Sequence, residues 1–122
     1  MRILLVDDSI RIRDSLRSFL LAQPGVEICG EAADGLEAIE KARGLRPDLI
    51  VLDLSMPLMN GFDAGDAIHR DVLPQVPLIL FTFHKDDAVT ARASAAGFRA
   101  VVSKEDGAEF LFAEIRKLAG VS

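Results

Sequence analysis

Three short apolar runs, each of which ends at a polar residue, constrain the fold of this chain most strongly. They are Ile3–Val6, followed by Asp7 and Asp8; Leu49–Leu52, followed by Asp53; and Leu78–Phe81, followed by Thr82. Apolar runs without polar alternation are typical of strands buried on both faces, as in a parallel sheet. We therefore predict a parallel sheet whose strands carry polar side chains at their carboxyl ends.

Amphipathic helical patterns lie between these strands. Apolar residues recur at helical spacing over residues 10–22, 36–43, 61–72 and 106–118, and an alanine-rich segment capped by Asp86 or Asp87 runs to Gly97. Gly44 is the expected end of the second helix. Leu36 on the second helix and Phe110 on the fifth are among the residues expected to face the sheet.

Two further strand patterns, Val26–Glu31 and Arg99–Val102, bring the number of predicted strands to five. Strict alternation of strands and helices implies parallel pairing through right-handed crossovers. The predicted fold class is therefore α/β, an open sheet with helices on both faces, in a single domain over residues 1–122.

Composition excludes several classes of protein. The net charge of -5 argues against direct nucleic-acid binding, which requires a basic surface. No apolar run approaches the roughly 20 residues of a membrane span, and the acidic start of the chain is unlike a signal peptide. The single cysteine, Cys29, fits a reducing compartment. We expect a cytoplasmic domain that binds neither membrane nor nucleic acid directly.

The polar residues at the strand ends form one chemical set. In parallel α/β sheets, functional groups gather at the carboxyl ends of the strands. The residues expected there are Asp7, Asp8, Asp53, Thr82 and Lys104. Three carboxylates within contact range would repel by about 4 kcal/mol per pair at an effective dielectric near 20. Proton uptake or a divalent cation would relieve this repulsion, and Mg²⁺ suits an oxygen ligand set that leaves room for phosphate.

Such a set is suited to phosphoryl transfer. Asp53 would attack a phosphoryl group as a carboxylate nucleophile and form an acyl phosphate. Mg²⁺ and the Lys104 ammonium would neutralise the phosphoryl oxygens, and the Thr82 hydroxyl would donate a hydrogen bond to one of them. Taken singly, Asp7 and Asp8 are more typical of a helix cap and Lys104 of a solvated surface, and Asp53 is equally typical of a turn. Their joint occurrence at strand ends favours a functional site.

The chain resembles the receiver domains of bacterial two-component response regulators, and in particular those of the LuxR/NarL type. The resemblance is carried by residues 3–8, by Pro47 to Asp53 with Met56-Pro57 and Asn60-Gly61, by residues 30–38, and by Thr82 and Lys104. It covers essentially the whole chain. It implies a flavodoxin-like (βα)5 three-layer sandwich with strand order 2-1-3-4-5, for which a receiver domain is a standard example.

The resemblance also implies roles for individual residues. Asp53 would be the phosphoacceptor, Thr82 the switching hydroxyl and Lys104 the cation that pairs with the phosphoryl group. Asp8 would bind Mg²⁺ directly, Asp7 mainly through water, and the backbone carbonyl of Ser55 would be a further protein ligand beside Asp53. The domain would catalyse only its own phosphorylation and dephosphorylation, and so would be a signalling phosphoacceptor rather than an enzyme.

The partners implied are a sensor histidine kinase or phosphotransfer protein and a downstream protein partner or output domain. Phosphorylation would change the surface of the fourth helix, fifth strand and fifth helix, in a monomer or a phosphorylation-dependent homodimer. The alternative is a receiver-like interaction module that works without phosphorylation. An aspartate-nucleophile phosphatase would require a second acid after Asp53. A flavin- or dinucleotide-binding protein would require a phosphate loop rich in glycine, serine or threonine in place of Asp7-Asp8-Ser9.

Three positions depart from the family pattern. Glu105 follows Lys104 where many receivers have proline, and Val102 occupies the position of a tyrosine or phenylalanine that moves with the hydroxyl. Phe83 follows Thr82 where a small residue is typical. We expect Phe83 to narrow access to Asp53.

Overall fold

The computed structural model describes residues 1–120, in which five parallel strands form one sheet. The strands are β1 (Arg2–Val6), β2 (Glu27–Ala32), β3 (Leu49–Leu52), β4 (Leu78–Thr82) and β5 (Ala100–Ser103). Their order across the sheet is β2-β1-β3-β4-β5. Both the α/β fold and the strand order implied by the resemblance are confirmed.

The helices over the same residues are α1 (Ile10–Leu21), α2 (Gly35–Leu45), α3 (Gly61–Ala67), α4 (Asp87–Ala95) and α5 (Gly107–Leu118). A π-helical turn, Ile68–Val72, continues α3, and a 3-10 turn, Lys104–Asp106, precedes α5. The first four helices each begin at a side-chain cap, supplied in turn by Ser9, Asp34, Asn60 and Asp86. Each cap accepts a hydrogen bond from an otherwise unpaired N–H of the first turn.

The strands separate two hydrophobic cores because successive side chains point to opposite faces of a sheet. One core contains Leu4, Ile50 and Leu80. The other, which includes Leu16 and Leu20 of α1 and Leu111 and Ile115 of α5, contains Ile3, Val51 and Ile79. Because consecutive strand residues enter different cores, every position of β3 and β4 is buried. This explains the unbroken apolar runs in the sequence.

Two predicted core residues lie elsewhere. Leu36 is 50% exposed and Phe110 is 46% exposed, so the prediction that they face the sheet was wrong. The buried positions of α5 are Leu111 and Ile115, and Phe110 lies about 100° around the helix from Leu111. In α2, the same offset separates Leu36 from the buried Gly35.

The predicted end of α2 was also too early. The helix continues past Gly44 to Leu45, and Arg46 then ends it in the left-handed conformation. Within residues 1–120, no helix combines the length and the apolar character needed to cross a membrane.

Candidate functional site

Asp7 and Asp53 lie side by side at the carboxyl ends of adjacent strands. Val6 pairs with Leu52 in the parallel ladder of β1 and β3, and the N–H of Asp53 donates to the carbonyl of Val6 at 2.8 Å. The N–H of Asp7 donates in turn to the carbonyl of Ala32 at 3.0 Å. These bonds extend the ladder by one residue and hold both acids rigidly. Asp7 is only 4% exposed and Asp53 only 8%.

A third carboxylate, that of Asp8, completes an acidic cluster. Asp7, Asp8 and Asp53 each offer one oxygen, and these oxygens lie within 4.8 Å of one another. Asp8 is exposed, so the cluster is open to solvent on its side. Hard oxygen donors at this spacing, with one side open for water, fit the coordination preferences of Mg²⁺.

Lys104 reaches into this cluster from the end of β5. Its ammonium donates to Asp7 Oδ2 at 2.7 Å and lies 3.2 Å from Asp53 Oδ1. The side chain of Lys104 is only 6% exposed. One buried cation therefore partly offsets the charge of two buried carboxylates.

The environment of Asp53 raises the pKa of its carboxyl above the ordinary value of 3.8. Burial is the largest cause and the neighbouring Asp7 carboxylate the second, whereas Lys104 and the N–H of Leu54 act in the opposite direction. The ionised form of Asp53 is thus held at an energetic cost, which a bound cation would reduce.

Thr82 ends β4 and is completely buried. Its hydroxyl oxygen accepts a hydrogen bond from the N–H of His84 at 3.1 Å. The next residue, Phe83, is 57% exposed, so the chain leaves the core abruptly at this point.

A cavity of about 290 Å³ opens above the acids. The described residues that line it are Asp7, Asp8, Ser9, Ile12, Asp53, Ser55, Phe83, His84 and Lys104. The structure thus brings together the predicted residues Asp7, Asp8, Asp53, Ser55 and Lys104, with the buried Thr82 at the end of the neighbouring strand.

The loop after Asp53 depends on a glycine. The N–H of Gly61 donates to the carbonyl of Leu54 at 2.8 Å. A Cβ at Gly61 would lie 2.2 Å from the carbonyl oxygen of Asp53, closer than any normal contact. Asn60-Gly61 is part of the resemblance to receiver domains, but the sequence does not indicate this close approach to the backbone of Asp53.

The sequence analysis did not identify Arg13, which lies on α1, as part of the site. Its guanidinium donates to the backbone carbonyl of Asp7 and, at 3.0 Å, to Glu31 of β2. The side chain is only 14% exposed. Its spacing of four residues from the cap Ser9 was the available signal, because residues i and i+4 share a helix face. Arg13 connects α1 and β2 to the backbone of a site residue.

Val102 points inward, completely buried in the core that contains Leu111 and Ile115.

The backbone over residues 1–120 contains no cis peptide bond, so the peptide bond between Lys104 and Glu105 is trans.

Comparison with known proteins places this chain in a family. The family model for the response regulator receiver domain matches residues 3–116. The response regulator protein VraR of Staphylococcus aureus is 38% identical over 116 residues, which make up 95% of this chain and 55% of VraR. The chain thus spans about half the length of the curated relatives that it matches.

Solved structures agree in both fold and sequence. The response regulator domain of Thermotoga maritima CheB has a TM-score of 0.91 and 32% identity, covering 100% of this chain and 98% of that one. A LuxR-family two-component response regulator from Aurantimonas sp. SI85-9A1 has a TM-score of 0.89 and 35% identity, covering 98% and 86% respectively. The chain belongs to the receiver domain family of two-component response regulators and is of the LuxR/NarL type.

Proposed function

We propose that this receiver accepts a phosphoryl group on Asp53 from the phosphohistidine of a sensor histidine kinase or phosphotransfer protein. The observation that carries the proposal is the position of the Lys104 ammonium, within 2.7 Å of Asp7 and 3.2 Å of Asp53, in a cluster of three carboxylates. A purely structural ion pair would not require the second and third acids.

In the proposed reaction, a carboxylate oxygen of Asp53 attacks the phosphorus atom of the donor. The new O–P bond forms as the P–N bond to the donor imidazole breaks, and the imidazole leaves with the electron pair. Lys104 turns towards the phosphoryl oxygens, and the hydroxyl of Thr82 rotates to donate to one of them. Water later attacks the phosphorus and restores Asp53, so the domain acts only on itself.

Asp7, Asp8 and Asp53 would hold Mg²⁺ together with the backbone carbonyl of Ser55, which lines the same cavity. The ion would supply neutralisation of the negative charge that gathers on the transferring group. The raised pKa of Asp53 supports this assignment, because a carboxylate that is costly to ionise alone gains most from a cation.

The signalling output would follow from the added charge. We assign the change on phosphorylation to the surface of α4, β5 and α5, which adjoins Thr82 and Lys104 along the chain. The receiver would form a single domain over residues 1–122. A downstream protein or output domain would read that surface, in a monomer or a phosphorylation-dependent homodimer. Since histidine kinases draw their phosphoryl groups from ATP, we place this reaction in the cytoplasm.

Intact-mass measurement tests the proposal. The wild-type protein, Asp53→Asn and the exposed-site control Asp71→Asn are incubated with acetyl phosphate in Mg²⁺ and in EDTA. We expect one added phosphoryl group in the wild type and in Asp71→Asn, with Mg²⁺ only, and none in Asp53→Asn.

Modification of Asp53→Asn to the wild-type extent would reject Asp53 as the acceptor. If neither acetyl phosphate nor a phosphorylated histidine kinase modified the wild type, the phosphoacceptor function itself would be wrong. A receiver-like interaction module that works without phosphorylation would then be the better description.

A further inference from the structure

We propose that Phe83 is a positioning residue for Lys104, and that the face of its ring holds the ammonium at the edge of the acidic cluster. The catalytic consequence of this contact rests on the proposed function. The contact itself does not, and it can be tested without phosphorylation.

The geometry around the ammonium supports the assignment. A lysine ammonium has three N–H donors. In this site the carboxylates of Asp7 and Asp53 lie at 2.7 and 3.2 Å from Nζ. The ring centroid of Phe83 lies 5.2 Å from the same nitrogen, within the range of a cation–π interaction. The ring thus supplies an uncharged partner beside two charged ones.

The exposures of the two side chains support a shielding role for the ring of Phe83. Phe83 is 57% exposed, which is unusual for a phenylalanine, yet the side chain of Lys104 beside it is only 6% exposed. A ring that lies outside an ammonium shields the ammonium from water. Shielding of this kind strengthens both the cation–π contact and the ion pairs.

Phe83 also forms part of a boundary. Together with Ile12 and Lys104, it lines both the acidic cavity and a neighbouring groove whose other lining residues belong mainly to α1 and the start of α5. The ring is therefore placed between the acids and this groove. Its backbone follows directly from the buried Thr82, whose hydroxyl is bonded to the N–H of His84, so residues on both sides of Phe83 are fixed.

An uncharged partner has a specific advantage at this site. Any cation that the carboxylates take up weakens their attraction for the Lys104 ammonium. The interaction with the ring is not lost in this way, because the ring carries no ionisable group. Phe83 would thus keep the ammonium beside Asp53 when an anionic phosphoryl group arrives.

This role differs from that of a steric gate. A gate depends on the bulk of the side chain, so leucine would open the site slightly and tryptophan would close it. A cation–π partner depends on the aromatic face, so leucine would remove the interaction and tryptophan would keep it.

The experiment compares Phe83→Leu, Phe83→Trp and the control Phe110→Leu, which changes another exposed phenylalanine on α5. The first measurement is the NMR chemical shift of the Lys104 ε-methylene protons in EDTA without a phosphodonor. We expect an upfield ring-current shift in the wild type, in Phe83→Trp and in Phe110→Leu, and its loss in Phe83→Leu.

The second measurement is the rate of phosphorylation by acetyl phosphate at saturating Mg²⁺. Loss of the cation–π contact should slow Phe83→Leu by about fivefold, while Phe83→Trp stays within about twofold of the wild type. Phe110→Leu should be unchanged. Melting temperatures of all variants verify that each protein is folded.

Two results would overturn the proposal. One is the absence of a ring-current shift at Lys104 in the wild type. The other is a Phe83→Leu variant that reacts as fast as the wild type or faster while Phe83→Trp is slower, which identifies a gate. A wild type that accepts no phosphoryl group from any donor would reject the proposed function instead, and the shift measurement would still decide whether the ring holds the ammonium.

Discussion

Replacing Asp53 with asparagine should stabilise the folded protein. The substitution preserves the shape of the side chain and an oxygen that can accept from Leu54 and Lys104, but it removes a negative charge that is 8% exposed. At an effective dielectric of 20, repulsion from Asp7, whose oxygen lies within 4.8 Å, is at least about 3.5 kcal/mol, and attraction to Lys104 at 3.2 Å is about 5 kcal/mol.

Repulsion from Asp8 and the desolvation of Asp53 decide whether the substitution stabilises or destabilises the protein. The exposed Asp8 adds repulsion of only about 1 kcal/mol, because water screens it. The pairwise interactions therefore nearly cancel. The desolvation of a buried carboxylate costs several kcal/mol, reduced here because the cavity is open to water. We expect Asp53→Asn to raise the free energy of unfolding by about 2 kcal/mol, or the melting temperature by about 6 °C.

The gain in unfolding free energy from Asp53→Asn should depend on pH. Because folding raises the pKa of Asp53 above 3.8, the folded state binds its proton more tightly than the unfolded state does. The wild type consequently loses stability as pH rises from that ordinary value through the folded pKa. The advantage of Asp53→Asn should grow as pH rises from about 3.8 through the folded pKa, and it should disappear below about pH 3.8.

Urea unfolding in EDTA between pH 3.5 and 8 measures this difference, with Asp71→Asn as the matched control at an exposed aspartate. Asp71→Asn should remain within about 0.5 kcal/mol of the wild type. This expectation would be contradicted by an Asp53→Asn variant that is no more stable than the wild type at neutral pH. It would also be refuted by an advantage that is independent of pH.

Three further changes test other parts of the site. Gly61→Ala would place a Cβ 2.2 Å from the carbonyl oxygen of Asp53, so it should lower the free energy of unfolding in urea by about 2 kcal/mol and slow phosphorylation. A Gly61→Ala variant as stable as the wild type would contradict this close contact. Leu58 has a φ of 68° and is 77% exposed, so Leu58→Gly should raise the free energy of unfolding by about 1 kcal/mol. A less stable Leu58→Gly variant would show that the backbone at Leu58 is not strained. Lys104→Met removes the ammonium that competes with Mg²⁺ for the three carboxylates, so calorimetry should show Mg²⁺ binding about tenfold more tightly. Phosphorylation should be slower in the same variant. Weaker Mg²⁺ binding would show that Lys104 and Mg²⁺ do not compete.

Much of the site could be predicted from the sequence because its signals are local. Asp7, Asp53 and Thr82 each follow an apolar run directly, and a parallel sheet brings such positions to one edge whatever the details of its packing. The side-chain caps of the first four helices are local in the same sense, since each cap bonds to the first turn of its own helix. Element type and order followed from these features.

Side-chain environments were less predictable where neighbouring positions compete for one helix face. Leu36 and Phe110 are apolar, but each lies one residue from the positions that the sheet buries. Which face of a helix turns inward depends on the elements packed against it. Periodicity alone therefore could not place these two residues.

The pattern of apolar runs and the polar residues that follow them was enough to predict three acids, a hydroxyl and a lysine at the strand ends of a parallel α/β sheet. The contact of the Lys104 ammonium with Asp7, 97 positions away in the chain, and its place over the ring of Phe83 arise only in the folded protein. The hydrogen bonds of Arg13 to the backbone of Asp7 and to Glu31 likewise form only there. The physical reason is that such contacts depend on distances between elements that no local pattern encodes, and they exist only once crossovers and packing have brought the strand ends together.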